Sequence, residues 1–260
     1  MPSTARLAQW YATHGRHRLP WRATRDRWEV LVAEVMLQQT QVARVEQMWA
    51  PFLARFPDPQ TAAAAGAGAL IAAWDRLGYP RRARRLWEIA TRVADRGWPD
   101  DLTELPGVGR YTAGAVAAEA DEADTVALDT NIRRVVERVA GRRLGPRDAE
   151  DAVRRLGGEL SGRDRLLALM DLGALVCTKR NPVCAPCPLR GSCATRGVLA
   201  DERTSRQARF AGSFRQRRGH VLAALRHAPT SVDELDADAL ASLVDDGLAE
   251  VRGLVAALPS

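Results

Sequence analysis

Lysine is almost missing from this chain: Lys179 is the only one, so arginine supplies the other 37 of the 38 basic side chains. Cysteine is confined in a similar way, with Cys177, Cys184, Cys187 and Cys193 in one short stretch and none elsewhere. That confinement argues against a disulfide framework, which spreads its cysteines to staple distant segments. Runs of alternating Val, Ile and Tyr are lacking, so extended sheet is not expected. No apolar run reaches the length of a membrane span, and residues 1–15 show neither an apolar signal core nor a cleavage pattern. These absences predict a soluble, cytoplasmic chain without a membrane partner, a setting in which thiols stay reduced.

What is present begins with the cysteine spacing, C-x6-C-x2-C-x5-C. Four thiolates from one compact loop can enclose a single metal centre. An all-thiolate zinc site usually shows two separated C-x2-4-C pairs, and only one such pair occurs here, which turns the reading toward an iron–sulfur cluster while leaving zinc as the competitor. Pro182, Pro186 and Pro188 suit a rigid ligand loop with either metal. The net charge of +6 and the predominance of arginine point to an anionic polymer, although arginine usage also follows genome composition.

Apolar residues recur at helical spacing over 28–53, 62–77, 81–96, 112–120, 132–140, 146–156 and 163–176, which predicts an all-α fold. The polar stretch 194–209 reads as a linker. Beyond it, 214–258 is expected to form three short helices. The first of these carries Arg215, Arg217, Arg218 and Arg226 beside apolar Val221, Leu222 and Leu225, so it could turn guanidinium groups toward phosphates or simply face solvent.

Two further features carry chemistry. Leu105-Pro-Gly-Val-Gly-Arg-Tyr-Thr-Ala113 places two glycines between helical segments. A tight hairpin there aims free N–H groups of the next helix outward, where an anion such as a DNA phosphate can dock, but an ordinary helix corner has the same pattern. Glu34 lies in an apolar run on its N-terminal side, which would favour a proton-donating carboxyl; a solvated or salt-bridged helix residue is the plainer account. Asp129 opens the helix that follows Ala127-Leu128, where capping alone would explain an aspartate.

Taken together, the Leu105–Ala113 hairpin, Asp129 and the four-cysteine loop resemble the endonuclease III superfamily of DNA glycosylases. Pro20-Trp21-Arg22, Glu34-Val-Met-Leu-Gln-Gln-Thr40, Leu77-Gly-Tyr79 and Leu169-Met-Asp-Leu-Gly-Ala174 are similar to its MutY-type adenine glycosylases. The resemblance runs from about Trp10 to Cys193.

The resemblance implies a two-lobed helix-hairpin-helix fold: a six-helix barrel domain over 22–125, a cluster domain from 1–21 and 126–200, and a small C-terminal unit over 213–260 similar to a shortened winged helix. It implies a 4Fe-4S cluster on the four cysteines and a monomer acting on double-stranded DNA that contains a mispair. Glu34 would protonate adenine opposite 8-oxoguanine or guanine, and Asp129 would stabilise the cationic sugar, with Tyr111 in the pocket and Asn131 positioning the aspartate. Leu37, Gln39 and Tyr79 would wedge into the duplex, while Leu105, Gly107, Val108, Gly109 and Arg110 would form the phosphate-binding hairpin. Relatives with a lyase step use a lysine where this chain has Tyr111, so a monofunctional enzyme is expected. A thymine or uracil mismatch glycosylase and a non-catalytic DNA-binding relative are the alternatives. The stretch 119–124 is acidic where relatives carry an apolar, glycine-containing turn, and little chain follows Cys193 for a domain that reads the opposite base.

Overall fold

The computed structural model describes residues 3–200, 202 and 209–260, so the expected linker at 194–209 lies partly outside the described residues. The chain forms two compact units, Met1–Val30 with Gly109–Thr204 and Leu31–Val108 with Ser205–Ser260. Among the described residues, no helix is long and apolar enough to cross a membrane.

The first unit contains α1 (Ser3–His14), the start of α2 (Arg27–Leu37), α6 (Arg110–Ala120), α7 (Thr130–Ala140), α8 (Pro146–Gly157) and α9 (Gly162–Leu175), followed by the cysteine loop. Its core joins Leu7 and Tyr11 of α1 to Ile132 and Val136 of α7, Val153 of α8 and Leu166, Leu169 and Leu172 of α9. Helix α6, which the family resemblance groups with the barrel domain over 22–125, adds Ala115 and Ala118 to this core. Small residues at those positions let α6 and α9 pack closely. Pro146 starts α8 at a position where its missing N–H costs nothing.

The second unit contains the rest of α2, then α3 (Val42–Arg55), α4 (Pro59–Trp74), α5 (Arg81–Arg96) and the C-terminal segment. The helical run expected over 28–53 is broken: α2 stops at Leu37 and α3 starts at Val42. Neither Gly nor Pro marks that break; Gln39 takes a left-handed φ of 57° instead. Asp58 caps α4 through the Thr61 N–H at 2.6 Å, and α4 kinks at Gly66.

The C-terminal segment also differs from expectation. Two α-helices form, α10 (Phe214–His227) and α11 (Ala237–Asp245), with a single 3-10 turn at Val232–Glu234 between them, while β1 (Thr230–Ser231), β2 (Glu250–Arg252) and β3 (Val255–Ala257) add an antiparallel sheet in the order β1-β3-β2. Strands of two or three residues are too short to leave an alternating pattern in sequence. The expected arginine stripe is largely consumed by intramolecular pairing: Arg217 meets Asp236, Arg218 meets Asp246, and Arg226 meets Asp75. The Asp246 carboxylate also receives Arg81 of α5, and its backbone oxygen accepts from Arg84 at 2.6 Å, so the segment is fastened to α5.

Candidate nucleic-acid site and thiolate centre

Asp129 sits at the entry to α7 with both carboxylate oxygens engaged. Oδ1 accepts from the Ile132 N–H at 2.6 Å, and Oδ2 accepts from Asn131 Nδ2 at 2.7 Å. The residue therefore caps the helix, as its type suggests, and is held rigid by a second, side-chain donor. Burial pushes its carboxyl above the usual range, and the Ile132 and Asn131 hydrogen bonds oppose that rise without cancelling it. Asn131 is itself fixed from behind: its Oδ1 accepts from Arg134 Nη2 at 2.9 Å. The α9 backbone approaches so closely that a Cβ at Gly173 would lie 2.8 Å from Asn131 Cβ, which explains a glycine within the Leu169–Ala174 segment.

Two of the segments that carry the sequence resemblance meet in one contact. Arg22 of Pro20-Trp21-Arg22 grips Asp171 with two parallel bonds of 2.7 Å, and Arg16 adds its backbone N–H at 2.8 Å and Nε at 2.6 Å. Asp171 is fully buried. Burial pushes its carboxyl up, but the Arg22 hydrogen bonds and charge outweigh this and hold it below the ordinary range.

In the second unit Glu34 is buried near the end of α2 at 6% exposure, and Leu37 is half-buried at the helix end. Gln39 and Tyr79 lie on two turns and are exposed. Both are non-glycine residues in left-handed backbone, at φ 57° and 49°. Strain of this kind costs of order 1–3 kcal/mol per residue and persists only where surrounding contacts impose it.

The contacts come from Arg82, which sequence reasoning missed. Its guanidinium donates to the carbonyls of Val35 and Met36 at 2.7 and 3.0 Å, closing the C-terminal end of α2. It also donates to Gln38 O and Thr40 Oγ1 in one turn and to Leu77 O and Gly78 O in the other. The Tyr79 ring lies 5.4 Å from its Cζ. Burial without a carboxylate partner lowers its pKa to about 10. A sequence signal existed, since Arg82 falls on the same face of α5 as buried Leu86, Ile89 and Val93.

The Leu105–Ala113 segment makes the anticipated turn. The Val108 N–H donates to Leu105 O at 3.1 Å, Gly107 takes a φ of 71° that L-residues rarely adopt, and Gly109 precedes the first turn of α6. Gly107, Gly109 and Arg110 are exposed, whereas Leu105 and Val108 are buried anchors. Tyr111 is half-buried against the core of the first unit.

All four cysteines are free thiols of intermediate burial and line one cavity walled by Val135, Val139, Leu172, Val176 and Leu189. Among the described residues, no three potential ligands are gathered tightly enough to hold a single metal ion. Burial pushes the Cys177 thiol up and the Cys187 thiol up to about 11, so a bound metal would have to displace their protons. Hydrogen-bond donors already face the sulfurs: Arg138 Nη1 lies 3.4 Å from Cys177 Sγ, and the Arg196 N–H lies 3.3 Å from Cys193 Sγ. Such donors stabilise thiolate ligands. Arg138, almost wholly buried, also holds the loop carbonyls of Thr178 and Lys179 at 2.8 and 2.9 Å. The donor set thus fits a four-thiolate centre.

A helical protein with a glycine hairpin, a capped and buried aspartate and a four-thiol cavity has the parts of a base-excision repair protein. The chain belongs to the HhH-GPD superfamily of base excision DNA repair proteins, whose family model matches residues 32–159, and it is a DNA glycosylase. It is 42% identical over 273 residues to an adenine DNA glycosylase of Mycolicibacterium smegmatis, covering 95% of this chain and 92% of that one. It is similar to the solved structure of a thermostable thymine-DNA glycosylase, at a TM-score of 0.66 and 27% identity over 74% of this chain and 94% of the other. A trapped endonuclease III–DNA covalent intermediate shares the fold at a TM-score of 0.65 and 23% identity, covering 75% and 93% of the two chains.

Proposed function

We propose that this glycosylase excises adenine mispaired with 8-oxoguanine or guanine in double-stranded DNA, as a monomer and without a lyase step. The observation that carries the reading is Asp129: a desolvated carboxylate is fixed with one oxygen on a backbone N–H and the other on Asn131, and among the described residues positive charge reaches it from Arg134 only through space, with no salt bridge. Such a group suits the support of a transient cationic sugar. Glu34 is the proton donor to the departing purine, which leaves as a neutral base once protonated. Tyr111 lines the base pocket. Leu37, Gln39 and Tyr79 take the place of the extruded nucleotide, and the turn from Leu105 to Arg110 holds the backbone through free N–H groups. Lys179 lies between the first two cysteines, away from the Tyr111 position, so no lysine is available there as a Schiff-base nucleophile.

Cys177, Cys184, Cys187 and Cys193 hold a 4Fe-4S cluster in this reading. What supports iron–sulfur over zinc is the cysteine spacing, with one C-x2-C pair where all-thiolate zinc sites usually show two. Purified anaerobically, the protein is expected to carry about four iron and four sulfide per chain. Stoichiometric zinc in an active, colourless preparation would refute the assignment.

A thymine or uracil mismatch enzyme is the second reading, favoured by the likeness to the thymine-DNA glycosylase structure. Excision assays on duplexes with A opposite 8-oxoguanine, G and C, and with T or U opposite G, separate the two. Adenine release that falls roughly a hundredfold in Glu34→Gln, with duplex binding retained, is the expected result. Release of thymine or uracil alone would replace the adenine reading, and no release from any duplex would leave a DNA-binding relative.

A further inference from the structure

A second concavity, of about 450 Å³, opens beside the cysteine loop in the first unit and is lined by Arg6, Arg190 and Arg196 together with Pro186, Pro188 and Gly191. The three arginines come from separate places: helix α1, the turn at Arg190–Ser192, and the residue three beyond Cys193. All three are exposed, and no carboxylate is among the lining residues. This sets the groove apart in a protein where so many guanidinium groups are neutralised, among them those of Arg22, Arg81, Arg138, Arg165 and Arg218.

The backbone is shaped to the same end. Arg196 is held at a φ of 46°, in the left-handed region. An L-residue is rarely found there without a local reason, and the contact of its N–H with Cys193 Sγ fixes it at the mouth of the groove. The Arg6 guanidinium lies over Gly191, where a Cβ would come within 3.3 Å of Nη2. Prolines on either side of Cys187 stiffen the floor.

We infer that this groove binds phosphate groups. Three arginines lining one concavity suit the oxygens of phosphate, which accept paired N–H bonds, better than any neutral ligand. The phosphates can belong to the backbone of the DNA duplex or to a free phosphate compound; the duplex source rests on the glycosylase reading, and the free source does not.

The decisive comparison is between wild type and the triple variant R6Q/R190Q/R196Q, with R6Q alone as the variant farthest from the cysteines. For the duplex source, log affinity against log salt becomes shallower by about 0.9 for each phosphate that is no longer neutralised, equally for matched and mismatched duplexes, and the corresponding triple Arg→Lys variant restores the slope. For the free source, the duplex slope is unchanged but calorimetric titration with pyrophosphate shows binding to wild type and none to the triple variant. An unchanged slope in both R6Q and the triple variant, with no pyrophosphate binding to wild type, would overturn the inference and leave the glycosylase reading intact. Wild type that binds no duplex at all would instead remove the glycosylase reading, and the pyrophosphate titration would then decide the groove alone.

Discussion

The surroundings of Asp129 and of Asp171 invite comparison, because both aspartates belong to the same unit and burial pushes the carboxyl of each upward. At Asp171 two arginines answer that cost, and the carboxyl ends below its ordinary range. At Asp129 the partners that touch the carboxylate are an amide and a backbone N–H, and the carboxyl ends above it. A charge that is paired with other charges is committed to holding the fold. A charge oriented by neutral donors remains able to answer a positive charge that arrives from outside, which is what a cationic sugar would be. Perturbation at each site should therefore register in a different observable.

The largest expected effect is on stability. Asp171→Asn leaves the guanidinium of Arg22 buried and unpaired, so the unfolding free energy should drop by roughly 3–5 kcal/mol, as when one partner of a buried pair is removed. Denaturant unfolding measures this. Because the folded carboxyl is lowered, its contribution is present above the ordinary aspartate range and is lost as pH falls through the lowered value; the variant should lack that acid-side loss. A variant as stable as wild type would mean that Arg22 finds other acceptors.

Asp129→Asn should do the reverse. Asparagine caps a helix about as well as aspartate, so stability should stay within about 1 kcal/mol of wild type, while single-turnover excision falls by roughly 10²–10³. Equal loss of stability at both positions would erase the distinction between them.

A smaller effect is expected at Asn131. Replacing it with alanine removes a hydrogen bond that favours the ionised form of Asp129, so a carboxyl already raised should rise further. The acid limb of the excision profile should move to higher pH, since protonation of Asp129 removes the charge that the reaction uses. A purely structural asparagine would lower the whole profile without shifting that limb.

The smallest effect belongs to Asp246→Asn, which loosens the contacts of α5 and α10 with the end of α11. A cost of about 1 kcal/mol is expected because Arg81 is well exposed, and excision at saturating enzyme should be unaffected.

Much of this arrangement was legible in the residues alone. The bounds of α5 and the cap at Asp129 follow from apolar spacing and residue type, and both appear in the fold where those signals place them. The break after Leu37 was not legible, because nothing in Gln38-Gln39-Thr40 forbids a helix; it is imposed by Arg82, a residue more than forty positions away that draws the carbonyls of Val35, Met36 and Gln38 onto itself. The pairing of Arg22 with Asp171 was invisible for the same reason, since sequence distance hides it. The sheet of the C-terminal segment escaped because its strands are too short for alternation to repeat.

Arg82 has one more implication. A single planar cation fastens the turn that carries Gln39 and the turn that carries Tyr79, with Thr40 Oγ1 donating in addition to Leu77 O at 2.9 Å. The two turns therefore share one anchor and cannot drift independently, either over evolutionary time or on the bench. An engineer who grafts a new residue at Gln39 alters the footing of Tyr79 as well, and paired libraries at both turns should yield active proteins that single-site libraries never reach.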